Sequence, residues 1–157
     1  MSAGGDLLSA VLAVGGDPAD LPFWEACRQG RFLLHRCGVC GQCYWPASRC
    51  VQHGARDMAW IEASGRGVLY TYTVLHHAYT PEMKGRTPYV VGVVKLEEGP
   101  FFHTNIVDCP PAALAVETPL EVVMAPHPSG MTLPMFRPRV EKSAPPEESA
   151  AAREGMS

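Results

Sequence analysis

Four side chains between residues 37 and 53 have the types and the spacing of a metal site. Two residues separate Cys37 from Cys40, two others separate Cys50 from His53, and a glycine follows each pair. Two ligands at this spacing reach one ion from a tight turn, and zinc accepts thiolate and imidazole in a tetrahedral site. The spacing therefore predicts a zinc ribbon with these four residues as ligands.

Two other ligand sets fit part of this pattern. A two-Cys, two-His finger would need a second His after a spacer of three to five residues beyond His53, and positions 57 to 59 hold no His. The other set replaces His53 with Cys43. This residue follows Cys40 too closely to lie in the second turn, or knuckle, which carries Cys50. Four protein ligands leave no open coordination position, so the predicted Zn²⁺ is structural and not catalytic.

Four other His and Cys residues are candidates for catalysis by residue type, and their positions predict no catalytic site. His76 and His77 follow a predicted strand, where a general base is conceivable but a solvated loop residue is more common. His103 lies within a predicted strand, and Cys109 has no base paired with it in the sequence. The sequence also contains no nucleophile elbow, phosphate loop or dinucleotide fingerprint. These features favour a non-catalytic role.

A helix is predicted before the metal ligands, over residues 20–30. Asp20 can cap it, Pro22 suits its first turn, and Gly30 suits its exit. A short strand over 31–36 then leads into the cysteine cluster.

Residues 1–19 are predicted to form either a flexible terminus or a docking helix. If the segment is helical, four apolar residues share one face, namely Leu7, Leu8, Val11 and Leu12. A terminus rich in Gly and Ala is equally typical of a frayed end. Such a helix would need a partner surface to cover its apolar face.

Beyond residue 64 the pattern changes to β-strands. Alternating β-branched and aromatic residues, separated by turn signals, predict five strands, over 68–75, 89–96, 101–107, 120–125 and 131–136. Gly92 is predicted to mark a bulge or bend, and residues 110–115 a helical turn. Five short strands with one such turn fit an OB-fold barrel, and a small open sandwich fits nearly as well.

The predicted fold is therefore mainly β: an N-terminal helix, a rubredoxin-like zinc ribbon and a five-stranded OB-fold barrel. The predicted units are 1–19, 20–63 with the helix and ribbon, 64–140 with the barrel, and 141–157. The last segment is Pro, Glu, Ser and Ala without an apolar period, which predicts a disordered tail.

Charge and hydropathy bear on partners and location. The net charge is −3, and the 13 Lys and Arg residues form no run of three, which is unlike a protein that neutralises phosphates. The first 27 residues contain no Lys or Arg, unlike a signal peptide's charged region, and no apolar run could cross a bilayer. The sequence predicts a soluble cytoplasmic protein that binds neither nucleic acid nor membrane.

Several motifs together resemble one known family, the zinc-ribbon plus OB-fold proteins once classed as a domain of unknown function and found with thiolase-like proteins. The resemblance covers roughly residues 20–138. The motifs that carry it, besides the second knuckle, are PFWEA at 22–26, GR at 30–31, RCGVCG at 36–41, WP at 45–46, SGRG at 64–67, PYVV at 88–91 and LPMFRP at 133–138. The family usually has Cys as its fourth ligand, and this chain has His53, which zinc also accepts.

The resemblance implies a function that spacing alone does not. Such proteins are non-catalytic, zinc-binding accessory subunits of thiolase-superfamily enzymes: thiolases, aldolases or acyltransferases that act on acyl-CoA thioesters in lipid, steroid or aromatic degradation. The partner supplies the catalytic residues, and the accessory chain helps to assemble the complex and shape its substrate channel. The expected partner is thus a thiolase-like subunit, in a heterotetramer with two copies of each chain.

Three basic residues near predicted barrel loops are candidates to contact CoA phosphates, namely Arg66, Lys84 and Arg86, although such residues are more often simply solvated. Two other functions compete with this one: a single-stranded nucleic-acid-binding OB-fold and an enzyme acting alone on acyl-CoA. The nucleic-acid function requires aromatic and basic residues interleaved on the second and third strands. Tyr89, Phe101 and Phe102 supply aromatics there, and Lys95 is nearly the only base.

Overall fold

The structure is a computed structural model that describes residues 3–45 and 48–140. In this part of the chain, two α-helices precede a three-stranded sheet and a closed five-stranded barrel. The predicted tail, 141–157, lies outside the described residues. No helix among the described residues is long and apolar enough to cross a membrane.

The N-terminal part contains α1 (Ala3–Ala13), a 3-10 turn (Pro18–Asp20) and α2 (Leu21–Arg28). The predicted capping by Asp20 is wrong: its side chain makes no cap bond at α2, whereas Asp17 accepts from the Ala19 amide at 2.9 Å and caps the 3-10 turn. The predicted exit at Gly30 is confirmed, because this residue adopts a φ of 76°. Such left-handed glycines commonly end helices.

Helix α1 packs onto its own chain. Leu7 and Val11 are 2% and 0% exposed, and with Ala10 they surround Met131 beside the last barrel strand. The hypothesis that this apolar face is available to bind a partner is therefore wrong for Leu7 and Val11. Leu12, in contrast, is 52% exposed. The sequence predicts the apolar face correctly. It does not indicate that Met131, some 120 residues further along the chain, covers this face.

The ribbon sheet has β1 (Leu33–Cys37) at its centre, between β2 (Cys43–Tyr44) and β3 (Met58–Glu62). Both pairings are antiparallel. The strand predicted over 31–36 is confirmed, whereas β3 was not predicted. Its sequence offers few β-branched residues, and its pairing along all of β1 decides its conformation.

Five strands form the barrel in the order β4-β5-β6-β8-β7, and β7 returns to pair with β4. This closure confirms the predicted OB-fold barrel over the open sandwich, and a 3-10 turn at Pro111–Ala113 stands within the predicted helical turn. The strands are β4 (Arg66–Leu75), β5 (Tyr89–Leu96), β6 (Phe101–Ile106), β7 (Pro119–Pro126) and β8 (Thr132–Pro138).

A bulge lies in β4 and not at Gly92, where it was predicted. The β4–β5 register shifts between Leu69 and Thr71, so the buried face passes from Leu69 to Tyr72. Gly92 instead serves close packing inside the barrel. A Cβ atom there would lie 2.8 Å from the Ile106 side chain and 3.1 Å from that of Leu69, closer than carbon atoms pack.

Aromatic side chains join the ribbon sheet to the barrel. Phe32, just before β1, has its ring centroid 5.2 Å from that of Phe102 and 6.0 Å from that of Phe136. Trp45 lies 5.1 Å from Phe102, and Phe23 of α2 lies 5.0 Å from Trp45. The helix, the sheet and the barrel therefore share one hydrophobic core.

We predict that Leu7→Ala lowers the free energy of unfolding, or of local opening of α1, by about 2–4 kcal/mol, because it leaves a cavity beside Met131. Leu12→Ala is the matched control on the exposed side and should change stability by less than about 0.5 kcal/mol. Urea unfolding and amide hydrogen exchange of the helix measure both. Equal effects of the two substitutions would contradict the packing described for α1.

Candidate metal centre and barrel-mouth cavity

Two similar turns present the candidate metal ligands. Cys37 ends β1, and the Gly41 amide donates to the Cys37 carbonyl at 2.8 Å. In the second turn, Cys50 and Gly54 exchange two backbone hydrogen bonds of 2.9 Å. Both glycines adopt left-handed φ angles, 75° and 73°, which favour glycine because it has no Cβ atom. The glycine after each pair therefore closes each turn.

The structure brings the four predicted ligands together. The donor atoms of Cys37, Cys40, Cys50 and His53 all lie within 4.8 Å of one another. The Cys40 and Cys50 Sγ atoms are 3.7 Å apart, and the His53 Nδ1 atom lies 3.7 Å from Cys37 Sγ and 3.6 Å from Cys50 Sγ. Among the described residues, this is the group of His, Cys and acidic side chains that could hold a metal ion.

These distances fit the dimensions of a tetrahedral zinc site. With Zn–S near 2.3 Å and Zn–N near 2.0–2.1 Å, the edges of the tetrahedron measure about 3.8 Å between two sulfurs and about 3.6 Å between sulfur and nitrogen. The donor set would present Nδ1 of His53 to the ion. Cys37 and Cys50 are each 1% exposed, whereas Cys40 and His53 lie on the solvent side.

The surroundings of Cys50 favour its thiolate. The Tyr44 hydroxyl lies 3.4 Å from the Cys50 sulfur, and the Gln52 amide donates to the same atom at 3.4 Å. The hydrogen bond from Tyr44, with those from the backbone amides of Gln52 and His53, lowers the pKa of Cys50 to about 5. Because metals bind the deprotonated form, this sulfur is prepared to act as a ligand near neutral pH.

Cys43, the rival ligand, lies outside the group. Its thiol donates to the Gly41 carbonyl at 3.8 Å, and its side chain packs against the hydrophobic core. Burial raises the pKa of Cys43, which disfavours the thiolate that a metal needs. The geometry therefore favours the ligand set with His53 over the set with Cys43.

The contacts described for the candidate catalytic residues include no base. His76 and His77 are exposed, and the His77 ring contacts the Tyr79 ring edge-on at 5.3 Å. His103 is exposed on β6, and the Cys109 thiol donates to the Pro110 carbonyl at 3.4 Å. A carbonyl cannot act as a general base, so this contact does not activate the thiol.

The three candidate CoA contacts do not form one cluster. Arg66 begins β4, whereas Lys84 and Arg86 lie in the loop that follows the end of that strand. Ten residues of β-strand separate the two positions by about 30 Å. All three side chains are exposed, but they cannot bind the same phosphate group.

Sequence reasoning missed a cavity of about 360 Å³ at one end of the barrel, here called the barrel-mouth cavity. It lies between the β4–β5 loop, the end of β6 and the β7–β8 turn. Its apolar lining includes Met83, Val90, Ile106, Leu133 and Met135. Its charged or titratable lining comprises Glu82, Arg86, Tyr89, Asp108, Cys109 and His127. The loop of residues 78–88 was the only available signal, because the other walls are distant in sequence.

Comparisons with known proteins agree with this architecture. A family model described as the C-terminal OB-fold domain of ChsH2 matches residues 60–125. The chain is 37% identical over 132 residues to a probable enoyl-CoA hydratase alpha subunit from Thermomonospora curvata, covering 83% of this chain and 40% of that protein. It is 35% identical over 91 residues to a DUF35 domain-containing scaffold protein from Methanothermobacter thermautotrophicus, covering 56% of this chain and 67% of that protein.

Among solved structures, the chain is similar to a chain of the Ltp2-ChsH2(DUF35) aldolase. The two are 34% identical with a TM-score of 0.68, and the match covers 77% of this chain and 94% of the other. A DUF35 protein of unknown function from Sulfolobus solfataricus has a TM-score of 0.56 at 14% identity, covering 78% of this chain and 86% of the other, which supports the fold alone. The chain spans less than two thirds of the first curated relatives that it matches, 40% and 63% of their lengths.

We predict about one bound metal ion per chain. Cys50→Ser should abolish binding and destabilise the ribbon, because metal-binding energy is part of the folding energy of such sites. Cys43→Ser is the matched control, since it removes a nearby thiol that lies outside the group. Metal analysis of protein purified without chelator measures occupancy. Loss of metal in Cys43→Ser combined with retention in His53→Ala would refute the ligand set.

Proposed function

Because this chain belongs to the DUF35 family, we propose that it is a zinc-binding accessory subunit of a thiolase-superfamily enzyme that acts on acyl-CoA thioesters. The observation that carries the proposal is the similarity, over almost the whole of the matched chain, to the DUF35 chain of an aldolase assembly. The names of other relatives, a hydratase alpha subunit and a scaffold protein, also point to multi-subunit assemblies.

A structural role for zinc is supported by the donor set. Three thiolates and one imidazole satisfy the four positions of a tetrahedral zinc ion and leave no position for substrate or water. The ion would cross-link the turn after β1 to the turn before β3, and so hold together a ribbon whose β2 has only two residues. We therefore propose Cys37, Cys40, Cys50 and His53 as ligands of a structural Zn²⁺.

The surroundings of the candidate catalytic side chains support our proposal that this chain is not catalytic. His76, His77, His103 and Cys109 have carbonyl, aromatic or solvent neighbours, as described above. The described His–thiol and His–hydroxyl contacts lie within the candidate metal group and the β7–β8 turn. In our proposal the partner contributes the catalytic residues of a thiolase, an aldolase or an acyltransferase. This chain helps to assemble the complex, with two copies of each subunit, and to shape its substrate channel.

One observation favours the alternative, a single-stranded nucleic-acid-binding protein. Tyr70 and Phe101 are 59% and 47% exposed, their ring centroids are 4.9 Å apart, and Lys95 stands beside Phe101 on the neighbouring strand. OB-folds bind single strands on such faces through stacking and basic side chains. Lys95 is the single Lys or Arg on β5 and β6, however, and the net charge is −3. The aromatic pair alone therefore supports this function weakly.

The first prediction concerns the partner. Co-expression with a thiolase-like protein encoded beside this chain should give a stable complex whose mass, by size-exclusion chromatography with light scattering, equals two copies of each subunit. Cys43→Ser should assemble like the unmodified chain, and Cys50→Ser should assemble poorly because its ribbon is unfolded. Failure to assemble, combined with tight salt-sensitive binding to single-stranded DNA, would support the nucleic-acid function instead.

The second prediction concerns catalysis. The isolated chain should show no turnover of acyl-CoA thioesters, because in our proposal the partner contributes the catalytic residues. The complex should show turnover, and the substitutions His76→Ala, His77→Ala and Cys109→Ser should leave its rate within about twofold, since the contacts described for these residues include no base. Robust turnover by the chain alone, abolished by one of these substitutions, would contradict the accessory role.

A further inference from the structure

We propose that the end of the ribbon that carries the candidate metal ligands docks onto the catalytic subunit, at a place where acidic side chains surround an apolar pocket. The docking surface, here called the knuckle surface, consists of Val39 and Val51 with Arg36, Arg49 and Arg56. The inference rests on the proposed accessory function in naming the catalytic subunit as the occupant. It adds the surface through which this chain would bind that subunit.

Each knuckle carries one exposed valine. Val39 directly precedes Cys40 and is 59% exposed, whereas Val51 directly follows Cys50 and is 81% exposed. Single exposed valines are common on protein surfaces. Here two lie at the same end of the ribbon, because the Sγ atoms of Cys40 and Cys50 are 3.7 Å apart. The four proposed ligands would fix both turns, which reduces the cost of ordering the valines on binding.

A groove lies beside the first knuckle. Its volume is about 500 Å³, and its lining comprises Arg36, residues 37–41, Ala59 and Ile61. The register of β1 and β3 puts Arg36 opposite Ala59, and Ile61, two residues further along β3, lies on the same side of the sheet. A side chain of the partner can enter this groove next to Val39, so the knuckle surface offers a recess as well as exposed apolar groups.

Basic side chains surround the two valines. Residues 36–56 contain Arg36, Arg49 and Arg56 and no Asp or Glu, and Asp57 adjoins them, although the whole chain has a net charge of −3. All three arginines are exposed, and none forms an ion pair with another described residue. Carboxylates around the partner's pocket would pair with these guanidinium groups, which speeds association and selects the correct partner.

The aromatic side chains at this end of the ribbon contact their own chain. Tyr44 and Trp45 are the aromatic residues of the segment 36–56. The Tyr44 hydroxyl lies 3.4 Å from the Cys50 sulfur, and Trp45 packs against the hydrophobic core. Single-stranded nucleic acid binds where exposed aromatic faces alternate with basic groups, whereas protein interfaces combine an apolar centre with a polar rim and are enriched in Arg. The knuckle surface therefore fits a protein partner better than nucleic acid.

The test uses the full 157-residue chain and the thiolase-like subunit encoded beside it, with the affinity measured by calorimetry. Val39→Asp should weaken the complex at least about tenfold, because it removes an apolar contact and places a carboxylate against an acidic surface. Val116→Asp is the matched control. Val116 is 58% exposed but lies before β7 of the barrel, so this variant should bind like the unmodified chain. Metal analysis checks that both variants keep the same metal content.

Charge reversal tests the arginines and stays informative if Val39→Asp loses its metal. Arg56→Glu should slow association about fivefold at low ionic strength, and the difference should shrink at high salt because salt screens exposed charges. Lys95→Glu makes the same change of charge on the barrel, where Lys95 is exposed, and should leave the association rate within about twofold. Stopped-flow mixing with the partner measures both rates.

The possible failures are distinct. Equal affinities of Val39→Asp and Val116→Asp, both with metal bound, would overturn the docking surface while the complex still forms. If the unmodified chain forms no complex, the accessory function fails, and the occupant assigned to this surface fails with it. Salt-sensitive binding of single-stranded DNA that Arg56→Glu abolishes, with unchanged complex formation in every variant, would assign the surface to nucleic acid instead.

Discussion

The packing of Phe32 is the constraint on which the arrangement of this chain depends. Its side chain is 2% exposed and contacts Phe23 of α2, Phe102 of β6 and Phe136 of β8. One residue before β1, it thereby fixes the central strand of the ribbon relative to the barrel. Edge-to-face contacts of this kind favour one relative orientation of the rings, in addition to the apolar area that they bury. The candidate metal ligand Cys37 ends the same strand, so the position of the candidate metal centre follows from this packing.

The two ends of the ribbon depend on different forces. Near the barrel, its strands share the aromatic core with α2, and burial of apolar surface stabilises them. At the knuckles, Cys40 and His53 are exposed, and the described contacts are turns and hydrogen bonds to sulfur. A metal ion bound by four ligands would provide there the cohesion that a small core cannot. This division explains why removing a ligand should disturb the ribbon and leave the barrel folded.

The N-terminal helices have a comparable relation to the barrel mouth. Helix α1 covers Met131, and Arg28 of α2 binds the Gly130 carbonyl, so both helices support the β7–β8 turn. Leu133 of the same hairpin packs against the cluster around Met131 and also lines the barrel-mouth cavity. A segment that its sequence suggested for docking onto another protein therefore stabilises a wall of the chain's own cavity. Helix α1 also retains an exposed side that includes Leu12.

The sequence by itself determined the features that depend on the spacing of neighbouring residues. Two residues between paired ligands and a glycine after each pair suffice to predict the knuckles, and the two-residue period of the strands predicts five barrel elements. Tertiary structure decided the features that depend on contacts between distant segments. Return pairing of β7 with β4 closed the barrel, β1 drew β3 into a strand, and Met131 covered Leu7 and Val11. The cavity likewise joins loops far apart in the chain, and no single segment carries a pattern for it, because contacts of this range depend on the folded topology and not on neighbouring residues.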